Sequence, residues 1–279
     1  MNNSLVSVVV PTFNSVKTLA KCLGSIEKQT YNNIEVIVVD SFSQDGTIKL
    51  ARKFNSKVVQ TDWKLLGSRY LGLKKCNGNV IFLLDSDQIL ESTLIERAVN
   101  LLKTGYDMLC LEEFTFEPNG WIQKLFEADR ILIHKFAEVN LDPLEGVLLA
   151  RVYRKRILDK VFDSIPEKLF KNVIAHDHAI IYYEAHKISQ KIGIVPHAIW
   201  HIEPNSLWSL VKKNYKYGQT TFNLAKIVRY KNLLKKKVRF RKGALKYWRF
   251  GLQTYLLLIL KGIGYYAGYF SQRIRMLAR

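Results

Sequence analysis

In "VIFLLDSDQIL", Val80 to Leu90, two carboxylates follow directly on an apolar run. Val80 to Leu84 has the unbroken apolar character of a strand buried on both faces. Asp85 and Asp87 come next, with one residue between them. A carboxylate is costly to bury unless something compensates its lost hydration. Two Asp on one loop offer the oxygen donors that a hard divalent cation, Mg2+ or Mn2+, prefers. Such an ion keeps some waters and shares its remaining positions with substrate phosphates. Taken alone, the pair also reads as a strand end followed by a turn. The elements around it have to decide.

Those elements alternate. "VSVVV" is an apolar, β-branched strand. A helix follows, with Ser15 at its N-cap and Val16, Leu19, Ala20, Leu23 and Ile26 on one face. "EVIVVD" is a second strand and Thr47 to Phe54 a short helix. "KVVQ" is a third strand, followed by a helix around Gly67 to Lys75. After "NVIFLL" come a helix from Ser92 to Leu102 and a strand around Met108 to Leu111. Strands alternating with helices imply an α/β fold, a mostly parallel sheet with helices on both faces. In such sheets ligands bind outside the carboxyl ends of the strands. The first strand ends in Pro11 to Asn14, the second in Asp40 to Thr47, the fourth in Asp85 to Gln88. Polar and turn residues therefore converge where a ligand would sit.

Composition bounds the rest. At 279 residues and 48% hydrophobic content, the chain has room for one large domain, or a domain plus an appendage. Cys22, Cys76 and Cys110 offer neither a disulfide framework nor a Cys-x-x-Cys metal site, which points to a reducing compartment. "MNNSLVSVVVPTFN" has no basic flank before its apolar run and reads as a first strand rather than a signal peptide. The net charge of +19 is uneven: from Ser206 to Arg279 there are 18 Lys and Arg and no Asp or Glu. The rest of the 43 basic residues stand against all 24 acidic ones. The reading is a near-neutral body, residues 1–205, and a basic C-terminal region, 206–279.

The ordered set "VSVVVPTFN", "EVIVVDSFSQDGT" and "GSRYLG…NGNVIFLLDSD" resembles family 2 glycosyltransferases of the GT-A fold, strongly over Ser4 to Leu102 and more faintly to about Glu203. The resemblance implies an inverting transfer of a hexose from a nucleotide-diphosphate sugar, dependent on Mn2+ or Mg2+. It places Pro11, Thr12 and Asn14 beside the base and ribose, Asp40 and Ser41 at the base edge, and Arg69 towards the diphosphate. Gly72 is implied to pack closely. Tyr70 stands where the family commonly has Asn. Asp85 and Asp87 match the metal-binding pair, with Ser86 between them on the donor side. A divalent ion and Arg69 would offset the negative charge that grows on the leaving diphosphate.

The resemblance also makes Asp177, in "VIAHDHAIIYYEAHK", the base for the acceptor hydroxyl. The alternative is an Asp in the first turn of a helix, favoured there by the helix dipole. If the acceptor were a lipid phosphate, already ionised, Asp177 would serve positioning. His201, in "IWHIEP" after the short strand "KIGIV", either touches the metal or diphosphate, as a late His does in some GT-A enzymes, or is structural. No His-Glu-x-x-His zinc motif occurs. Asn119-Gly120 and Asp142 to Gly146 read as turns, the second a candidate part of the acceptor wall.

The tail reads as helical. Phe250 to Phe270 carries one charge, Lys261, with aromatics at both ends. At about 30 Å as a helix it is long enough to cross a bilayer. Lys261 near its middle would cost roughly 2.5–3.5 kcal/mol there. Ten Lys and Arg from Arg229 to Arg249, against three after the run, favour an anionic lipid surface and place the body on the cytoplasmic face of the membrane. The expectation is a peripheral or single-segment attachment, with an acceptor that is lipid-linked, as on a polyprenyl phosphate. A nucleic-acid arm would have no use for "YLLLIL", and no nucleic-acid partner is expected. The alternatives are a nucleotidyltransferase, which usually needs a Gly-rich, Lys-bearing loop that "PTFNSVKT" lacks, and an inactive binding module on the same scaffold. With one apolar segment and no Gln-x-x-Arg-Trp motif, transfer of a single sugar is expected rather than processive synthesis.

Overall fold

The computed structural model describes residues 4–136, 140–235 and 246–277. Four strands form the half of the sheet that carries the motifs: β1 (Val6–Thr12), β2 (Ile34–Asp40), β3 (Lys57–Gln60) and β4 (Val80–Leu83). They are parallel, in the order β3–β2–β1–β4. Their crossovers carry α1 (Val16–Glu27), α2 (Thr47–Lys53) and α3 (Leu65–Lys74). Successive side chains point to opposite faces, and both faces are covered. Val9, Ile37, Val39, Ile81 and Leu83 pack with Leu66 and Leu73 of α3. Val8, Val10, Val38, Val80 and Phe82 pack with Leu19, Leu23 and Ile26 of α1. Gly72 is required where α3 crosses the sheet, since a Cβ there would lie 2.3 Å from Val9 Cγ1. Tyr70 joins the core on that side, stacked on Phe170 with ring centroids 4.6 Å apart.

The second half is mixed. β5 (Gln88–Leu90) is followed by α4 (Leu94–Lys103), β6 (Met108–Thr115) and α5 (Trp121–Ile131). Then come β7 (Ala150–Arg154), α6 (Lys155–Ser164), α7 (Asp177–Ile188) and β8 (Ile192–His201). The sheet order continues β4–β7–β6–β8–β5. β7 runs antiparallel to both neighbours, β6 and β8 are parallel, and β5 is antiparallel to β8. β6 runs four residues past its apolar stretch, with a register shift between Leu111 and Glu113. The extension brings in Glu112 and Glu113, which broke the apolar pattern. Asp142 to Gly146 forms the expected turn, with Asp142 Oδ1 accepting from Leu144 N at 2.6 Å. The three cysteines are buried and free.

The basic C-terminal region is packed onto the body. α8 (Leu207–Ala225) starts at Ser206, whose Oγ accepts from Ser209 N at 3.2 Å. α9 (Lys231–Lys235) and α10 (Trp248–Leu277) follow, and positions 236–245 of the basic run lie outside the described residues. Arg229 donates to Glu184 of α7 at 2.8 Å, and His176 meets Thr221 of α8 at 3.1 Å. Leu257 of α10 packs with Ile122, Leu125, Phe126 and Leu210. Lys261, the one charge in the apolar run, turns inward over the Phe126 ring at 4.2 Å. Among the described residues no helix is long and apolar enough to cross a membrane.

Candidate active site

The carboxyl ends of β2, β1 and β4 lie side by side, with Thr12 in register with Asp40 and Val9 with Leu83. Val9 O accepts from Leu84 N at 3.1 Å, beyond which β4 has left the sheet. Pro11 points the same way two residues on, where its missing N–H leaves no ladder bond unmade. The loops after β1 and β2 are stitched together. Thr12 Oγ1 donates to Asp40 Oδ1 at 2.8 Å, and Ser43 donates to Asp40 from both Oγ (2.6 Å) and N (2.8 Å). Asn14, in the left-handed region at φ 50°, donates from N to Ser43 Oγ at 2.8 Å and accepts from Gln44 N on Oδ1 at 2.9 Å. Ser41 N donates to Thr12 O at 2.9 Å. Asp45 Oδ2 accepts from Val16 N at 3.1 Å, so it caps α1, while the Ser15 hydroxyl meets Ser86 Oγ at 3.0 Å. Asp40 is wholly buried beneath this lattice, with its oxygens already occupied. It braces the two loops. Phe13 and Phe42 stand exposed on them.

The β4 end is built differently. Asp85 N donates to Gln88 Oε1 at 2.9 Å, closing the Asp85–Asp87 turn into β5. Because β5 pairs with β8, Gln88 lies opposite His201, and Ile202 N donates to Asp87 O at 2.8 Å. That pairing carries His201 to the acidic pair from more than a hundred residues away. One donor atom each from Asp85, Asp87 and His201 lie within 4.8 Å of one another. His201 Nε2 stands 3.4 Å from Asp87 and its Nδ1 faces Glu203 at 3.3 Å. A carboxylate behind the imidazole is the support that metal-ligating histidines have. Two carboxylates and an imidazole so placed fit a divalent ion.

Cations surround this cluster. Arg69 is wholly buried and bonded from each of its three nitrogens: Nε donates to Asp177 at 2.5 Å, Nη1 to Leu84 O at 3.0 Å and Nη2 to Asp85. In this arrangement one guanidinium holds Asp85 and Asp177 together. Asp177 is the first residue of α7. It thus occupies the helix-dipole position and the site at once. Arg151 of β7 donates to Asp85 at 3.1 Å and pairs with Glu113 at 3.3 Å. Arg130 of α5 bridges Glu113 and Glu203. Lys213 of α8 stands 3.6 Å from Asp87. Burial raises the Asp85 carboxyl, but Arg69 and Arg151 hold it well below the usual range. Burial likewise raises Glu113, and Arg130 and Arg151 bring it down. His178 stands 3.7 Å from Asp85 and 4.0 Å from Asp177, and burial, then Arg151 and Arg69, push it down to about 4. It is neutral at pH 7.

Arg151, Arg130, Glu113, Glu203, His178 and Lys213 were not legible as site residues. Only Glu203, two residues after His201, and His178, next to Asp177, sat beside a motif. Lys213 was one charge among 18.

A family model described as "Glycosyl transferase family 2" matches residues 7–162, more than half of the chain. Among curated relatives, the chain is 31% identical over 141 residues to the Escherichia coli UDP-Glc:alpha-D-GlcNAc-diphosphoundecaprenol beta-1,3-glucosyltransferase WfgD, which covers 48% of this chain and 56% of WfgD. The first relatives it matches are met over 41% or less of their own length. Staphylococcus aureus TarS 1-349 in complex with UDP-GlcNAc superposes with a TM-score of 0.59 at 16% identity, covering 99% of this chain and 92% of that one. Glucosyl-3-phosphoglycerate synthase from Mycobacterium tuberculosis, in complex with Mn2+, UDP and glucosyl-3-phosphoglycerate, superposes with a TM-score of 0.53 at 19% identity, covering 80% of this chain and 79% of that one. Likeness at such identities is one of fold, and the fold is that of the GT-A enzymes.

Proposed function

The chain belongs to glycosyl transferase family 2, and on that premise we propose that it moves one sugar, with inversion, from a nucleotide-diphosphate sugar to a lipid-linked acceptor at the cytoplasmic face of a membrane. One observation carries the reading: Asp85, Asp87 and His201 converge at the end of β4, while Arg69 ties Asp85 to Asp177. The donor nucleotide lies over the loops that Thr12, Asn14, Asp40 and Ser41 build, with the exposed Phe13 and Phe42 available to its base. Ser86 lines the turn beneath the diphosphate. Asp85, Asp87 and His201 would hold Mn2+ or Mg2+, which when bound supplies charge neutralisation for the leaving diphosphate.

The remaining work falls to this chain's own side chains. The acceptor oxygen forms a bond to the anomeric carbon as the bond from that carbon to the diphosphate oxygen breaks. Its proton passes to a carboxylate oxygen of Asp177, and the nucleoside diphosphate leaves with the electron pair. Asp177 is paired with Arg69, which holds its carboxylate in place before the acceptor arrives. Lys213, on the Asp87 side, adds positive charge where the leaving group's charge grows. The polyprenyl-type acceptor is supported by the similarity to WfgD, named for a diphosphoundecaprenol-linked acceptor, and by the basic tail.

The test is a panel of UDP- and GDP-sugars with Mn2+, followed by anomeric analysis of the product. An inverted product, nucleoside diphosphate release and their loss in Asp87→Ala are expected. Release of pyrophosphate from a nucleoside triphosphate would replace this reading with nucleotidyl transfer. Nucleotide binding without turnover would leave a binding module.

A further inference from the structure

α10 has two faces with opposite fates. Its inner face carries Gly251, Thr254, Leu257, Gly264 and Gly268, all buried. The glycines let the backbones touch: a Cβ at Gly264 would lie 2.6 Å from Val211 O of α8, and one at Gly268 would lie 2.0 Å from Tyr215 O. No larger residue fits there, so α10 is fixed against α8 along its length. Its outer face carries Leu252, Leu256, Ile259, Ile263, Tyr266, Phe270 and Ile274, all exposed, with Ile259 and Ile263 each 59% accessible. They recur every three or four residues and so form one stripe. At about 1.5 Å per residue the stripe is about 35 Å long. The exposed charges on α10 are Arg249 before the stripe, and Arg273 and Arg275 around its far end. An apolar surface of this length is a place where something else binds.

We propose that this outer face of α10 docks on an anionic lipid bilayer and lies in its plane. The inference takes up the membrane partner of the reading above and rests on that part of it alone. Charge chooses the occupant. From Ser206 to Arg279 there are 18 basic residues and no acidic one. A second copy of this chain would bring the same basic ends to the stripe: paired in parallel, Arg249 meets Arg249, and paired antiparallel it meets Arg273 and Arg275. An anionic headgroup layer complements every one of them, while the stripe enters the acyl boundary, as interfacial helices do. The same packing excludes a span. Crossing the bilayer would strip α10 from α8 and expose the inward Lys261 and the bare backbone at Gly264 and Gly268. The docked face also lies one helix from the chemistry, since α8 carries Lys213 to Asp87.

Vesicle flotation of the full chain without nucleotide tests this, so the result is independent of transfer activity. Wild type is expected to float with phosphatidylcholine–phosphatidylglycerol vesicles, at least about tenfold better than with phosphatidylcholine alone, and less well as salt rises. Alkaline carbonate should release it. Ile259→Glu with Ile263→Glu should cut vesicle binding by at least about tenfold with an unchanged melting temperature, both sites being exposed. Arg273→Gln with Arg275→Gln should reduce the preference for phosphatidylglycerol. Flotation of the Ile259/Ile263 variant equal to wild type would overturn the proposal, and so would retention in carbonate. A dimer in light scattering that the same pair of substitutions abolishes, without vesicle binding by wild type, would replace the bilayer with a second copy. Loss of donor-sugar hydrolysis with flotation intact would sink the transfer reading and leave this surface standing.

Discussion

Asp40 and Asp85 end strands two places apart in the same sheet, and the protein treats them in opposite ways. Asp40 is enclosed by neutral donors, the hydroxyls of Thr12 and Ser43 and the Ser43 backbone. Asp85 is held by two guanidinium groups and faces an imidazole. A cage of hydroxyls fixes one geometry and gives it up only at the cost of unpaired groups. A cage of cations holds charge in place while leaving the carboxylate oxygens open to exchange with another cation. The β2 end is therefore a rigid platform and the β4 end an electrostatic device. The first shapes where a ligand lies, and the second answers to the charge it brings.

The largest way to break that contrast is at Arg69. Arg69→Met leaves Asp85 and Asp177 sharing a buried site without their common partner, which should cost about 3–5 kcal/mol of stability. Denaturant melts check this, and sugar transfer should fall below detection. Asp87→Ala, whose carboxylate is partly exposed, should leave the melt nearly unchanged and lower transfer by at least about a hundredfold, read as nucleoside diphosphate release. A comparable loss of stability there would place Asp87 with Asp40 as a structural group.

Asp40→Asn comes next, with an expected loss of about 1–3 kcal/mol and a raised KM for the donor, because one side of the hydroxyl lattice loses its acceptor. A fall in kcat with KM unchanged would dissolve the distinction between the two strand ends. The acid response sharpens it further. His178 is pushed down to about 4, below the ordinary value near 6.5, so the unfolded chain binds a proton that the folded one refuses between those values. Its contribution is fully present above about pH 6.5 and is lost as pH falls towards 4, about 2 kcal/mol by pH 5. Melting temperatures at pH 7 and 5 should show that drop, and His178→Gln should flatten it. The smallest effect is at Lys213. Lys213→Met removes a cation that competes for Asp87, so Mn2+ should bind about tenfold more tightly by titration calorimetry while transfer slows.

Much of the first region was readable in order along the chain. The strand ends after β1, β2 and β4 carried their polar residues directly behind apolar runs, and parallel topology sends such ends to one edge. The Asp85–Asp87 pair could be placed for the same reason, and Gly72 from the family resemblance of "SRYLG". Arg69 was read towards a diphosphate; its place between two carboxylates was not legible, because both partners come from elsewhere in the chain. The C-terminal region was read as an appendage with one charge in the middle of an apolar helix. The structure turns that charge inward over Phe126 and brings Lys213 into the site. Neither fact has a local signal, since a lysine's spacing on a helix does not say which neighbour it will meet.

By itself the sequence determined the alternation of strand and helix, the sheet edge at which polar residues gather and the acidic pair that stands there. These follow from periodicity and from the high cost of burying bare carboxylates, both of which act over a few residues. Tertiary structure alone decided which cations answer that pair, how β8 carries His201 across to it and which face of α10 stays uncovered. Those are contacts between segments far apart in the chain. Pairing energies between them depend on distances of a few ångströms, which only the closed fold sets.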